Sequence, residues 1–431
     1  MSGDRILVWF RNDLRTHDNE TLHKAIQKAQ NVLPVYVFDE RKFTSHTLGF
    51  PRTGSFRTQF LIEAVASLRM KLRDLGTDLI VRVGIPEFEI AKLATEHGVN
   101  EVFTSWNVGT EEEQVVRSLE QQLNARKIPL RLFWTSTLYH YEDIPWPIQH
   151  VPQIFTKFRK ELEAESAVRP VFPEVEELSL AVDIDPGVIP DVESFGLPAV
   201  APDKRTALPY KGGEAAALNR LHDYLWKKDL LRTYKETRDQ LLGADCSSKL
   251  SAALAIGCLS PRTIYYEVKK YEVDRVSNES TYWLVFELMW RDYFQFLAKK
   301  YGALMFAAGG IQNKSIQWQQ NTDAFRQWIE GRTGVSFVDA NMRELMLTGF
   351  ISNRGRQNVA SFLTKDLKID WRWGAAWFES QLVDYDVASN WLNWQYVAGV
   401  GNDPRADRYF NIESQVRKYD SRGEYQQFWL S

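Results

Sequence analysis

Short apolar runs at Ile6 to Phe10, Val32 to Phe38, Leu79 to Val83, Val102 to Thr104 and Leu130 to Phe133 alternate with helical stretches at Phe56 to Leu75, Glu87 to His97 and Glu111 to Asn124. Short apolar runs between polar turns predict strands buried on both faces, with the intervening helices covering them. Strict alternation of strand and helix predicts a parallel, Rossmann-like sheet, an α/β domain over residues 1–134. The turn after the first run reads Arg11-Asn12-Asp13-Leu14-Arg15, and neither a G-x-G-x-x-G nor a Walker sequence follows it. Any ligand at this turn must be held without the usual glycine-rich phosphate loop.

The periodicity then fades, and ten of the sixteen prolines fall between Pro145 and Pro209. Proline interrupts helices and ladders alike, so residues 135–210 are expected to run over the surface between two domains, ordered in part by their aromatic residues. From Lys211 the pattern is helical to the end, predicting an all-α domain over 211–431. Glu214 to Lys227 is amphipathic, Ser260-Pro261 opens a helix, and Thr281 to Tyr301 forms a long aromatic one carrying Glu287, Trp290 and Arg291 at i, i+3 and i+4. Glu287 and Arg291 at this spacing can form a plain helical ion pair, or the carboxylate and the indole can face a planar ligand. Ser247-Ser248-Lys249-Leu250-Ser251 precedes a helix to Ile256 that stops at Gly257. Serines at a helix start serve either as an N-cap, the commoner use, or as a phosphate cradle.

The densest chemistry lies between Gly349 and Gly401. Gly349 can close one helix and Ser352 or Asn353 cap the next, setting Asn353 and Arg356 on a face away from Val359, Phe362 and Leu363. A further helix starting near Asp384 or Asp386 aligns Asp386, Asn390 and Asn393 beside Trp394.

Composition narrows what this cluster can do. The chain has 431 residues, 44% hydrophobic and 25% charged, with a formal charge of −3. This composition suits a large globular protein and excludes a uniformly basic coat, though not a local basic groove. Cys246 and Cys258 suggest neither a disulfide framework nor a zinc site. The start MSGDRILVWF has no signal-peptide pattern, and no run of eighteen apolar residues occurs, so a cytoplasmic protein without membrane contact is expected. Ten of the fifteen tryptophans lie from Trp283 onward, whereas all seven histidines lie at or before His222. A half without imidazole cannot build a Ser-His-Asp triad or a histidine-ligated metal site, so chemistry there requires a bound cofactor.

The segments WRDYFQF, FVDANMRELMLTGFISNRGRQNVASFL, DWRWGAAWFE, DYDVASNW and GNDPRADRYFNI resemble the flavin-binding half of the photolyase and cryptochrome family, specifically its cryptochrome DASH branch. FRNDLRTHDN resembles the same family's amino-terminal domain, so the likeness covers nearly the whole chain. It implies an α/β antenna domain, an all-α domain holding FAD, and blue-light-driven repair of cyclobutane pyrimidine dimers in single-stranded or looped DNA by a monomer. By position it implies that Tyr234, Ser247, Ser248, Lys249, Leu250 and Ser251 meet the FAD phosphates and ribityl chain, Lys249 standing where relatives often have Arg. Glu287, Arg291, Asn353, Arg356, Asp384, Asp386 and Asn390 would surround the rest of FAD, with Asn390 beside a ring nitrogen. Glu287, Trp290, Asn353 and Tyr396 would meet the lesion, with Tyr396 where many duplex-repair members have Trp. Trp318, Trp371 and Trp394 would carry electrons to the flavin. Glu113 and Gln114 would grip a 5,10-methenyltetrahydrofolate antenna, although GTEEEQ also reads as a solvated acidic helix start.

Two alternatives accompany the enzyme: a blue-light photoreceptor with little turnover, and a cofactor-free single-strand binder. The ending YQQFWLS, compact rather than a disordered tail, favours the enzyme over the photoreceptor. The binder would explain the aromatic residues but not Arg356, Asp384, Asp386 and Asn390.

Overall fold

The computed structural model describes residues 4–178, 184–405 and 408–431, so Ala406 and Asp407 of the GNDPRADRYFNI segment lie outside the described residues. Strands β1 (Arg5–Phe10), β2 (Asn31–Asp39), β3 (Ile80–Gly84), β4 (Glu101–Ser105) and β5 (Leu130–Phe133) form one parallel sheet in the order β3-β2-β1-β4-β5. Helices α1 (Glu20–Lys28), α2 (Ser55–Asp74), α3 (Pro86–Glu96) and α4 (Thr110–Asn124) connect them. The five expected strands and three expected helices are all present, within two residues at each end. Alternation explains how the sheet is buried on both sides. Leu7, Trp9, Leu33, Val35 and Val37 pack with α3 and α4, while Ile6, Val8, Phe10, Tyr36 and Phe38 join a core that continues into the helical half.

The proline-rich connection departs from expectation. It contains α5 (Phe155–Glu165) and buries Leu138, Tyr139, Ile144, Val151, Phe155, Phe158 and Leu162. Its apolar residues are spaced too irregularly to read as a stripe, yet they fill the seam between the two halves. Buried Asp292 accepts the N–H groups of Leu138 and Tyr139 at 2.9 and 2.8 Å, and the ring of Phe155 stacks on Trp290 with centroids 3.7 Å apart. The first part of the connection, to Leu162, therefore belongs to the core, whereas from Ser166 onward its described residues are mostly exposed or half-buried, as expected for a surface connection.

The helical half comprises α6 (Glu214–His222), α7 (Tyr234–Thr237), α8 (Ser251–Ala255), α9 (Pro261–Asp274), α10 (Glu279–Tyr301), α11 (Thr322–Ile329), α12 (Ser336–Thr348), α13 (Asn353–Ser361), α14 (Trp371–Gln381), α15 (Val387–Ala398), α16 (Ile412–Tyr419) and α17 (Glu424–Leu430). Ser260 caps α9 with proline in its first turn, and Asn278 forms a capping box on α10. Gly257 closes the segment after α8 at φ 72°, and a Cβ there would lie 2.1 Å from the carbonyl oxygen of Asn12. Only glycine permits both that backbone and that approach, which lets the helical half dock on the turn after β1. Arg15 completes the joint by donating to the Gly257 carbonyl at 2.9 Å. Among the described residues no helix is long and apolar enough to cross a membrane.

Candidate functional site

A cavity of about 480 Å³ opens in the helical half between α10, the 247–251 loop, α13 and α15. Tyr234, Ser247, Ser248, Lys249, Leu250 and Ser251 line one end of it. The N-cap position of α8 is Leu250, and no side chain caps that helix, which corrects the commoner reading of the serines. The physical reason is Lys249, whose left-handed φ of 57° turns the chain immediately before the helix, so no seryl oxygen accepts a first-turn N–H. Buried Lys249 forms no ion pair among the described residues; its ammonium sits 4.5 Å over the Phe350 ring, and burial pushes its pKa down. A desolvated cation beside uncommitted hydroxyls is a cradle for an anion.

The opposite wall carries the polar residues of the 349–401 stretch. Gly349 closes α12 in the left-handed region, and Ser352 caps α13 by accepting the Gly355 N–H at 3.0 Å. Arg356 then donates to both oxygens of Asp384, at 3.0 and 2.8 Å. Asp386 caps α15 through the Ser389 N–H at 2.8 Å and accepts Gln295 Nε2 from α10, also at 2.8 Å. Asn390, buried one turn further on, donates to the Ala375 carbonyl at 3.0 Å. A side cavity of about 100 Å³ is lined by Asn353, Arg356, Asp384, Asp386, Asn390 and Trp394. The fold thus brings together all the amides, carboxylates and the guanidinium singled out in this stretch.

Glu287, Trp290, Asn353 and Tyr396 line the large cavity as well. Glu287 pairs with Arg238 at 2.7 Å and not with Arg291, so the helical ion pair is corrected. Arg291 instead donates to the carbonyls of Ser136 and Leu254, joining the proline-rich connection to α8. These part-buried carbonyls hold its guanidinium, whereas Arg238 follows α7, which packs against α10. Burial raises the pKa of Glu287, opposed by the Arg238 charge. The ring of Tyr396 lies edge-on to Trp290 at 6.2 Å, and its hydroxyl accepts from Arg408 at 2.9 Å. Arg238 and Arg408 are site residues that the sequence reading missed. Their only signals were a position one helical turn beyond Tyr234 and a place inside GNDPRADRYFNI.

Trp318 and Trp371 both donate their indole N–H to the Ala308 carbonyl, at 3.1 and 3.0 Å, which sets the two side by side. The aromatic neighbour of buried Trp371 is Trp391 at 5.7 Å. Trp394 instead packs on Gly374, one turn beyond Trp371, and against Phe378 and Trp328 at 5.0 and 6.2 Å. Glu113 and Gln114 face different places. Glu113 pairs with Lys299 at 2.6 Å, and the Lys299 ammonium lies 4.3 Å over Trp106. Gln114 lines a separate cavity of about 350 Å³ at the carboxyl ends of β1 and β2, together with Trp9, Phe38, Arg41, Tyr385 and Asp386. That is the crevice near the point where strand order reverses, the usual ligand position in such sheets.

Comparison with known proteins accounts for this arrangement. The family described as DNA photolyase matches residues 6–177, and the FAD binding domain of DNA photolyase matches residues 283–431. Cryptochrome DASH of Gloeobacter violaceus is 50% identical over 430 residues, covering 100% of this chain and 86% of its own length. The chain belongs to the photolyase and cryptochrome family. Its kinship is with the cryptochrome DASH members: that of Xenopus laevis is 49% identical over 99% of this chain and 82% of its own. The solved Synechocystis cryptochrome superposes with a TM-score of 0.96 at 50% identity, over 99% of this chain and 88% of that one. A photolyase of Sulfolobus tokodaii with two FAD molecules follows at 0.80 and 28%, over 99% and 90%. FAD is the cofactor this domain binds, and the residues present fit it: a buried cation without an ion-pair partner among the described residues, beside seryl hydroxyls, together with carboxylates and amides.

Proposed function

We propose that this protein repairs cyclobutane pyrimidine dimers in single-stranded or looped DNA under blue light. The observation that carries the reading is that Glu287, Trp290, Asn353 and Tyr396 line the same large cavity as the cradle residues. When bound, reduced and photoexcited, FAD would supply one-electron donor chemistry for opening the dimer, with the electron returned at the end. The chain's own residues do the rest. Trp290, stacked on Phe155 and held edge-on by Tyr396, offers a fixed apolar plane for the two linked pyrimidines of a lesion taken out of the stack. Glu287, oriented by Arg238, offers a carboxyl to pyrimidine N–H or carbonyl groups. Asn390 is a neutral amide and does not oppose negative charge on a reduced ring as a carboxylate would. Lys249 and the three serines would hold the phosphates, and Asp384 and Asp386, which line the same cavity, would accept ring or adenine N–H groups. Trp318, Trp371 and Trp394 serve as oxidisable stepping stones from the surface.

The single-strand preference follows from Tyr396 in place of a larger indole and from a net charge of −3, too low for a broad phosphate clamp. Extruding a lesion from duplex costs a few kcal/mol, and about 1.4 kcal/mol is tenfold in occupancy. A preference on the order of a hundredfold is expected. The test is repair of one lesion in single-stranded and duplex form, under identical illumination at one salt concentration. Equal efficiencies would place the protein with duplex photolyases, and no repair by pre-reduced protein would make it a photoreceptor.

For light harvesting we assign the Glu113, Lys299 and Trp106 cluster to a folate. The 350 Å³ cavity favours a second reading, a planar chromophore among Trp9, Phe38 and Tyr385, in line with the two FAD molecules of the Sulfolobus tokodaii photolyase. Chromophores extracted from the purified protein decide between them.

A further inference from the structure

One buried carboxyl behind the cradle has no part in the roles above. Glu344 on α12 is 5% exposed and lines none of the three cavities described. The hydroxyl of Tyr425, from the last helix α17, lies 2.5 Å from its Oε2. Lys249 faces it from the cradle and Arg356 from α13; neither forms an ion pair with it, and Arg356 is already committed to Asp384. Cys246, beside Lys249, and Tyr210, Arg220 and Asp384 are further charged and titratable groups of this corner, with Asp420 behind Tyr425. A diphosphate on the cradle adds two negative charges to a region that already holds one buried carboxyl without a contact cation. Like charge in low dielectric disfavours a second ionised acid, so the group able to neutralise itself takes up a proton.

We propose that Glu344 is a positioning residue that acts through Lys249: it balances this cation while the cradle is empty and binds a proton when the FAD diphosphate arrives. The inference rests on the assignment of the cradle to FAD. The bond to Tyr425 survives both states, because the phenol donates to the carboxylate and either donates to or accepts from the carboxyl. Burial is the largest influence on Glu344 and holds its pKa up to about 7, against the Tyr425 bond and the Lys249 and Arg356 charges. Proton uptake is therefore read in a window where FAD itself does not titrate. Binding should tighten as pH falls from about 8.5 to 6.5, approaching tenfold per pH unit at the alkaline end, the limit for one linked proton.

The experiment equilibrates the purified flavoprotein at a series of pH values and measures released FAD by its fluorescence. Wild type should release FAD progressively as pH rises, whereas Glu344→Gln, which keeps a hydrogen bond to Tyr425, should bind with a flat profile and more tightly at the alkaline end. Lys249→Arg separates the other source of a slope. Arginine stays charged throughout, so the slope persists if Glu344 titrates and vanishes if Lys249 does. A wild-type slope retained in Glu344→Gln overturns the proposal, as does a flat wild-type profile or a natively folded Glu344→Gln that binds less tightly at every pH. Failure of wild type to bind FAD at any pH would overturn the cradle assignment instead.

Discussion

Asp386 is the residue whose replacement tests the site most severely, because it lines the two cavities of the flavin site and the cavity of the α/β half. One oxygen caps α15 through Ser389, and the other accepts the side chain of Gln295, itself 4% exposed. Asp386→Ala removes the cap, worth about 1 kcal/mol. It also leaves the buried Gln295 amide unpaired, which costs about 1–3 kcal/mol. If the capped arrangement is the flavin-binding one, a loss of about 2–4 kcal/mol weakens FAD thirty- to nearly a thousandfold on the order-of-magnitude scale of about tenfold per 1.4 kcal/mol. Asp386→Asn separates geometry from charge. Asparagine caps as well as aspartate, and Gln295 can turn its amide to present a carbonyl to the new NH₂ group. The flavin-free protein should then unfold in urea within about 1 kcal/mol of wild type, while FAD content falls because the carboxylate acceptor is gone. The assays are the flavin-to-protein absorbance ratio and urea unfolding of the flavin-free proteins. Normal flavin content in Asp386→Ala would refute the assignment, and normal content in Asp386→Asn alone would reduce Asp386 to a helix cap.

Two further outcomes follow from ion pairs at the site and at the domain joint. Glu287→Ala should lower repair per photon at least tenfold with FAD retained, since Glu287 faces the open cavity and its partner is Arg238; unchanged repair would make the pair structural. Glu214 lies in the domain joint, 2.5 Å from His17 Nδ1, and also accepts the N–H groups of Thr16 and His17. Burial pushes its pKa up, but the His17 ring and these N–H groups outweigh burial and hold it at about 2. A folded pKa depressed below the ordinary 4.5 gives stability that is present above pH 4.5 and lost as pH falls through about 2. Roughly 1.4 kcal/mol should disappear between about pH 5.5 and pH 3.5. Urea unfolding across that window should show this loss in wild type and a flatter profile in Glu214→Gln; identical profiles would show that the joint does not titrate through Glu214.

What could be read from the sequence, and what could not, divides along the range of the interactions. Gly349, Ser352, Ser260 and Asp386 act within one turn of their own positions, and each caps or closes its helix as its residue type dictates. The strands were legible for the same reason, since two-sided burial demands unbroken apolar runs. Partners across the fold were not legible. Spacing offered Glu287 a cation four residues away, yet the carboxylate is met by Arg238 from just beyond α7, while Arg291 is drawn off by the carbonyls of Ser136 and Leu254. The serine loop failed differently: N-cap statistics describe residues in extended backbone, and Lys249 at φ 57° removes the loop from that population. A non-glycine residue in the left-handed region costs about 1–2 kcal/mol, and a helix of five residues cannot recover this through capping that it lacks. Half-buried Phe350 lies beneath the ammonium, and the buried carboxyl of Glu344 is among the groups that act on it. The same packing leaves Lys249 desolvated and without a contact anion, so the departure from local rules coincides with the place built to receive a phosphate.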